Sequence, residues 1–298
     1  MPEEPAENVS GGRDGGGAAT RFETGTPDTR AEAVVDALGD SYWQKAYGGR
    51  DAFPCLVRTI LSQNTSDTAS QPAFDALIER YDDCENQRSS GSEGRGLSDS
   101  RPEADDGRTQ SGDDDLASTL ADADRETLAD TIASAGLYNQ KSRVIVEAAT
   151  EIVADFGGAT AFDEFVRAGD PAEVRDRLLD IRGVGPKTAD CVLLFAGGQD
   201  GVFPVDTHVH RIARRIGLAP PDADHEAVRA ALEASVPGEK CGFGHTAMIQ
   251  FGREYCRARK PACLDGPSAC PLYDQCDRVG VDGDTETVVD PSETVETA

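Results

Sequence analysis

The sequence predicts an all-α protein. Apolar residues recur at helical spacing through most of the chain, and no stretch alternates apolar and polar residues convincingly, as a half-buried strand would. Glycine, proline and capping residues punctuate the periodic runs. No internal repeat is visible, and no apolar run approaches the roughly 18 residues of a membrane span.

In chain order, residues 1–28 are rich in Gly, Pro and Glu and are expected to be disordered. Residues 30–47 carry Ala33, Val34, Leu38, Tyr42, Trp43, Ala46 and Tyr47 on a helical period. A second helix is expected over 54–61, ending near the polar SQNTSD, and a third over 68–81. The stretch 84–115 is acidic and low in complexity, and reads as a disordered surface insertion. Helices broken at Gly136 follow over 116–156, then one over 171–179. A tight turn at Gly183 and Gly185 leads into an apolar helix over 188–196. Pro204 announces the next helix, N-capped by Asp206 or Thr207. Further helices are expected over 224–235 and 244–256, and the acidic tail 278–298 is expected to be disordered.

The chain has 298 residues, 55 acidic against 29 basic, a net charge of −26 and a pI near 4.4. Such a balance argues against nucleic acid as partner, because phosphate prefers a basic surface. It is also the coat of proteins kept soluble in very salty cytoplasm, so a halophilic, haloarchaeal source is expected. The N-terminus lacks the basic-then-apolar plan of a secretion signal. The eight cysteines are therefore expected in a reducing cytoplasm, where clustered thiols favour metal over disulfides.

A lone G-x-G is usually only a turn. Here helices flank Arg182-Gly183-Val184-Gly185 on both sides and Lys187 follows, which favours a helix–hairpin–helix. Exposed amides at such a turn could seat a phosphate and anchor a DNA backbone without reading sequence. A lysine is by default a solvated surface group, yet lysines are scarce in this chain. As a nucleophile Lys187 would have to lose its proton, which a helix N-terminus helps it do. Asp206 is either a plain N-cap or the carboxylate partner of that amine in attack at a sugar C1′.

Cys256, Cys263, Cys270 and Cys276 fall within one short loop-rich segment. Four thiolates suit either zinc or an iron–sulfur cluster. Arg257, Arg259 and Lys260 lie between the first two, a basic patch in an acidic chain. Cys55, Cys191 and Cys241 read as small core residues and Cys84 as loop. His208 and His210 invite an H-x-H metal reading, but with no barrel strand to carry it, structural use is favoured.

Taken together, IRGVGPKTAD, FPVDTHVHR, GLYNQKS, LSQNTSD and the cysteine segment resemble the endonuclease III family of helix–hairpin–helix (HhH-GPD) DNA glycosylases. The resemblance spans roughly residues 30–277. It implies Lys187 as Schiff-base nucleophile, Asp206 as catalytic carboxylate and Gly183 and Gly185 as the phosphate-gripping hairpin. It implies a [4Fe–4S] cluster on Cys256, Cys263, Cys270 and Cys276. Two lobes follow from it: a six-helix barrel over 50–199, and a cluster lobe from 29–49 plus 200–277, with Lys187 and Asp206 facing each other across the DNA groove between them.

This chain departs from the family pattern in three places. Six residues separate Cys263 from Cys270 where two are usual; Arg182 stands where proline is common; and the duplex-wedging glutamine falls on Asn64, with Gln63 beside it.

The expected activity is a bifunctional glycosylase and AP lyase of base excision repair. It would act as a cytoplasmic, nucleoid-associated monomer on double-stranded DNA holding oxidised pyrimidines or abasic sites. One rival is a monofunctional glycosylase for mismatched thymine or adenine. Another is a non-catalytic DNA-binding module with a four-cysteine metal site. With so few cations available (Arg182, Arg211, Arg214, Arg257, Arg259, Lys260), the salt dependence of DNA binding is expected to be shallow.

Overall fold

The computed structural model describes residues 17–22, 25–65, 67–82 and 115–297, and its architecture is helical. The chain divides into two compact units: residues up to Gly49 together with those from Ala189 onward, and Arg50–Thr188. The second changeover falls inside a helix rather than at the 199/200 boundary read from the sequence.

The Arg50–Thr188 unit holds α2 (Ala52–Ser62), α3 (Asp67–Tyr81), α4 (Leu116–Ala121), α5 (Arg125–Thr131), α6 (Tyr138–Phe156), α7 (Ala159–Ala168) and α8 (Pro171–Asp180), and the first turn of α9 (Pro186–Phe195). In α2, Phe53, Leu56, Val57, Ile60 and Leu61 follow the i, i+3, i+4 stripe, and all are buried. The long α6 is the packing centre, with α2, α4, α5 and α7 laid against it. Asp115, Asp124 and Asp170 cap α4, α5 and α8 by accepting bonds from backbone amides. The sequence reading missed α7, although Phe162 and Val166 sit one turn apart between Gly157-Gly158 and Gly169 and are fully buried.

The other unit holds α1 (Arg30–Leu38), the rest of α9, α10 (Thr207–Ile216), α11 (His225–Ser235) and α12 (Gly238–Glu254). Its core joins Val34, Val35, Leu38, Phe203, Val209, Ile212, Phe243, Met248 and Phe251. Buried Lys240 links α12 to α1 through Glu32 and Asp36, both at 2.7 Å.

Three expectations are corrected here. The helix expected over 30–47 stops at Leu38, because Gly39 turns its amide back onto Val35 and Asp36 and a turn follows. The expected disorder fails for 17–22: β1 (Ala18–Ala19) pairs antiparallel with β2 (Lys45–Ala46), and Phe22 packs on Phe243. The C-terminal stretch is built as well. β3 (Val281–Asp282) pairs with β4 (Thr287–Val288), and Asp290 binds Arg214. Acidic composition suggested a solvated tail, but an inward-facing arginine gives that carboxylate a partner. The expected disorder over 1–16, 23–24 and 84–114 and the loop reading of Cys84 fall outside the described residues, while Asp115, at the end of the expected insertion, caps α4. No helix among the described residues is long and apolar enough to cross a membrane.

Candidate functional site

Within Arg50–Thr188, the hairpin is closed by Val184 N–H donating to Ile181 O at 3.0 Å and Thr188 N–H to Gly185 O at 2.9 Å. The two glycines differ. Gly183 has φ +85°, and a Cβ there would lie 2.7 Å from Val144 of α6, so both backbone and packing require glycine. Gly185 has no positive φ, and a Cβ there would meet nothing within 4 Å. The sequence reading gave both the same conformational role; only Gly183 has it. Gly185 instead leaves open space beside the turn. Arg182 is exposed, 3.4 Å from Glu147, while Val184 is buried beneath. Lys187 lies half-buried in the first turn of α9.

Two other turns lie in the same unit, and one of them is bonded to this hairpin. Gln63 Nε2 donates to Thr188 Oγ1 at 3.1 Å and to Gly183 O at 3.4 Å, so Gln63 is tied to the hairpin. Asn64 stands exposed with φ 52°. The third turn carries Leu137, 55% exposed with φ 47°, followed by Tyr138. A large apolar side chain held in solvent on a left-handed backbone is costly twice over, and such outliers cluster at working surfaces. The sequence reading passed over Leu137; no local signal marks its exposure.

In the other unit, Asp206 is the N-cap of α10, its Oδ1 accepting from His208 and Val209 amides, each at 2.8 Å. One face of α10 then presents Arg211, Arg214 and Arg215. Arg211 donates to Cys256 O at 2.9 Å, and Arg215 to Arg257 O at 2.7 Å and Ala258 O at 2.6 Å. These bonds hold the backbone that exposes Arg257, Arg259 and Lys260. Arg214, expected among the DNA-facing cations, is buried and paired with Asp290. The signal for this inward role was the i, i+3, i+4 spacing of the three arginines. His210 Nε2 bonds Ala223 O and the ring stacks on His225 at 3.9 Å; His208 Nδ1 meets Arg211. Burial lowers both His208 and His210 below the usual histidine range.

Cys256, Cys263, Cys270 and Cys276 all line one cavity, with Phe251, Leu272 and Val281 as apolar wall and Arg215 and Arg278 as cations. Among the described residues no group of three or more His, Cys, Asp or Glu side chains is set to hold a metal ion. The four thiols face one cavity. Burial pushes Cys263 and Cys270 up, and Cys276 up to about 11. Arg215 Nη1 lies 3.8 Å from Cys256 Sγ, Arg278 N–H donates to Cys276 Sγ at 3.3 Å, and Arg215 Nε is buried without a hydrogen-bond partner. Four thiols, two cations and an orphaned donor fit an anionic metal–sulfur group. Cys55, Cys191 and Cys241 are buried core residues.

Residues 57–238 match the model of the HhH-GPD superfamily base excision DNA repair protein. The chain belongs to this superfamily. Endonuclease III of Thermotoga maritima is 31% identical over 227 residues, covering 76% of this chain and 83% of that protein. Endonuclease III of Sulfolobus acidocaldarius is 28% identical, covering 76% of this chain and 82% of the relative. In fold, the chain is similar to an endonuclease III trapped as a covalent intermediate with DNA, with a TM-score of 0.61, 24% identity, and 86% and 98% of the two chains covered. A thermostable thymine-DNA glycosylase is also similar, with a TM-score of 0.58, 21% identity, and 83% and 98% covered. The resemblance to endonuclease III stated from the sequence is borne out, and with it the all-α HhH-GPD fold. The chain is a DNA glycosylase of base excision repair.

Proposed function

We propose that the protein is a bifunctional glycosylase and AP lyase for oxidised pyrimidines, acting as a cytoplasmic monomer on damaged duplex DNA. The observation that carries this is Lys187: the chain sets a half-buried lysine in the first helical turn after the glycine hairpin. The open face at Gly185 and the exposed Arg182 suit a backbone phosphate, with Gly183 and Val184 shaping the turn. Arg257, Arg259 and Lys260 supply further phosphate contacts. The damaged nucleotide leaves the stack, and the exposed Asn64 and Leu137 tips are suited to fill the space it vacates. Gln63 steadies the hairpin instead.

Lys187 Nζ then attacks C1′, the C1′–N bond breaks and the base departs with the electron pair. The amine gives up one proton, and the C1′–O4′ bond then breaks as O4′ takes up a proton, which opens the sugar ring and leaves a protonated imine between Nζ and C1′. Removal of a C2′ proton expels the 3′-phosphate by β-elimination and nicks the strand. Asp206 accepts the amine proton or steadies positive charge at C1′; its cap bonds use Oδ1 and leave Oδ2 outside the cap.

The cysteine cavity fits a [4Fe–4S] cluster on Cys256, Cys263, Cys270 and Cys276, with Arg215 and Arg278 offsetting its negative charge. Bound there, it would supply iron–thiolate cross-links that fix the loop beneath the basic patch.

End-labelled duplexes test the activity: one with thymine glycol, one with 5-hydroxycytosine, one with a G·T mismatch. The reading expects base release with strand nicking on the first two. Base release from the mismatch alone, leaving an intact strand, would support the monofunctional rival. Binding without release from any of them would support the non-catalytic one.

A further inference from the structure

Lys141 is only 3% exposed, yet it is bonded into two turns whose tips, Asn64 and Leu137, are exposed. Its ammonium has three N–H bonds, and three oxygens take them: Leu61 O at 2.7 Å, Thr65 Oγ1 at 2.7 Å and Ala135 O at 2.9 Å. The three acceptors come from two stretches far apart in sequence: the end of α2 with the 63–65 turn that follows it, and the turn before α6. The Thr65 hydroxyl lies 2.5 Å from the same Ala135 oxygen and 3.1 Å from Gln63 O, closing the network. All three acceptors are uncharged. Burial pushes the lysine down from its usual range. An apolar side chain of equal length would leave these buried oxygens without their shared donor, so the position calls for an ammonium that can bond all three at once.

What the network delivers is geometry. Each stitched turn ends in a non-glycine residue of left-handed backbone, Asn64 at φ 52° and Leu137 at φ 47°. Both tips are exposed, so packing does not fix them; the bonds behind them do. Lys141 also stands one turn before Val144, the residue that meets Gly183, so one helix supports the tips and the hairpin.

We propose that Lys141 is a positioning residue that locks the Asn64 and Leu137 turns into one rigid two-pronged edge, whose insertion into the duplex holds the damaged nucleotide out of the stack. This rests on the glycosylase reading above, and the test separates the two.

Lys141→Met keeps length and removes all three donors. kcat/KM is measured for thymine glycol paired in a duplex and for the same lesion inside an unpaired bubble, where nothing has to be pushed out. The expected loss is about 10- to 100-fold on the paired lesion and within about threefold on the bubble. Thr65→Val, which keeps the lysine and removes one acceptor, should show the same asymmetry with a smaller loss, and it serves if Lys141→Met does not fold. Fluorescence of a 2-aminopurine opposite a tetrahydrofuran abasic analogue reads insertion without any base removal. It should rise with wild type and rise less with either variant. Equal losses on both substrates, or no loss on either, would overturn the proposal. If the wild type releases no base but the 2-aminopurine pattern holds, the glycosylase reading fails and the positioning role stands.

Discussion

Behind the hairpin edge, the groups that set the shape are already committed to one another: Lys141 to three oxygens, Gln63 to Thr188 and Gly183, Val184 to Ile181. Around the cysteines the reverse holds. Four thiols line a cavity, burial raises three of them, and a buried Arg215 nitrogen is left without an acceptor. In the first region the polar groups are bonded to one another. The second presents four thiols and two cations to one cavity, a donor set that fits a metal–sulfur group. On the proposed reading, the hairpin edge takes its shape from its own bonds, whereas the cysteine loop would be fixed by the group it holds.

The largest break between the two should come from removing a single thiol. Cys256→Ser or Cys270→Ser should abolish the broad visible absorption and bound iron expected of the wild type, and lower the melting temperature by roughly 10 °C. Colourless wild-type protein carrying zinc would contradict the cluster. Next come the two glycines of the hairpin. Gly183→Ala should cost about 1–3 kcal/mol in chemical denaturation, through its φ and its clash with Val144. Gly185→Ala should leave stability within about 1 kcal/mol or raise it, yet weaken duplex binding roughly tenfold if the open space is the phosphate seat. Equal stabilities for the two variants would remove the distinction drawn between them.

The smallest effect concerns acid. Burial works against the Asp290 carboxylate, but Arg214 and Ser292 outweigh it and hold the carboxyl at about 2, below its ordinary 3.8. The ion pair therefore stabilises fully above about pH 4, and its contribution is lost as pH falls through about 2. Asp290→Asn should flatten the stability profile across that window while leaving DNA binding at neutral pH unchanged.

What the sequence made legible was local. The stripe of Phe53, Leu56 and Ile60, the Asp206 cap, the glycine hairpin and the run of cysteines each lie within a few residues, and periodicity or spacing displays them. What it hid was long-range. Lys141 sits within a visible motif, but its acceptor Leu61 is 80 residues away. Arg211 and Arg214 read as DNA-facing cations, yet Arg211 bonds the Cys256 carbonyl and Arg214 pairs with Asp290, 76 residues on. The C-terminal hairpin was masked by its own acidity, since composition cannot tell a solvated carboxylate from a paired one. Leu137 sits in the same motif as Lys141, but nothing local marks it as exposed, because exposure of an apolar residue is decided by what fails to cover it.

The central claim is that one amine does the chemistry. Borohydride added to the protein on a duplex with an abasic site reduces any imine to a stable covalent adduct. The account predicts an adduct band for the wild type, its loss in Lys187→Gln with duplex binding kept, and its persistence in Lys141→Met. An adduct of undiminished yield in Lys187→Gln, or none in the wild type, would contradict it.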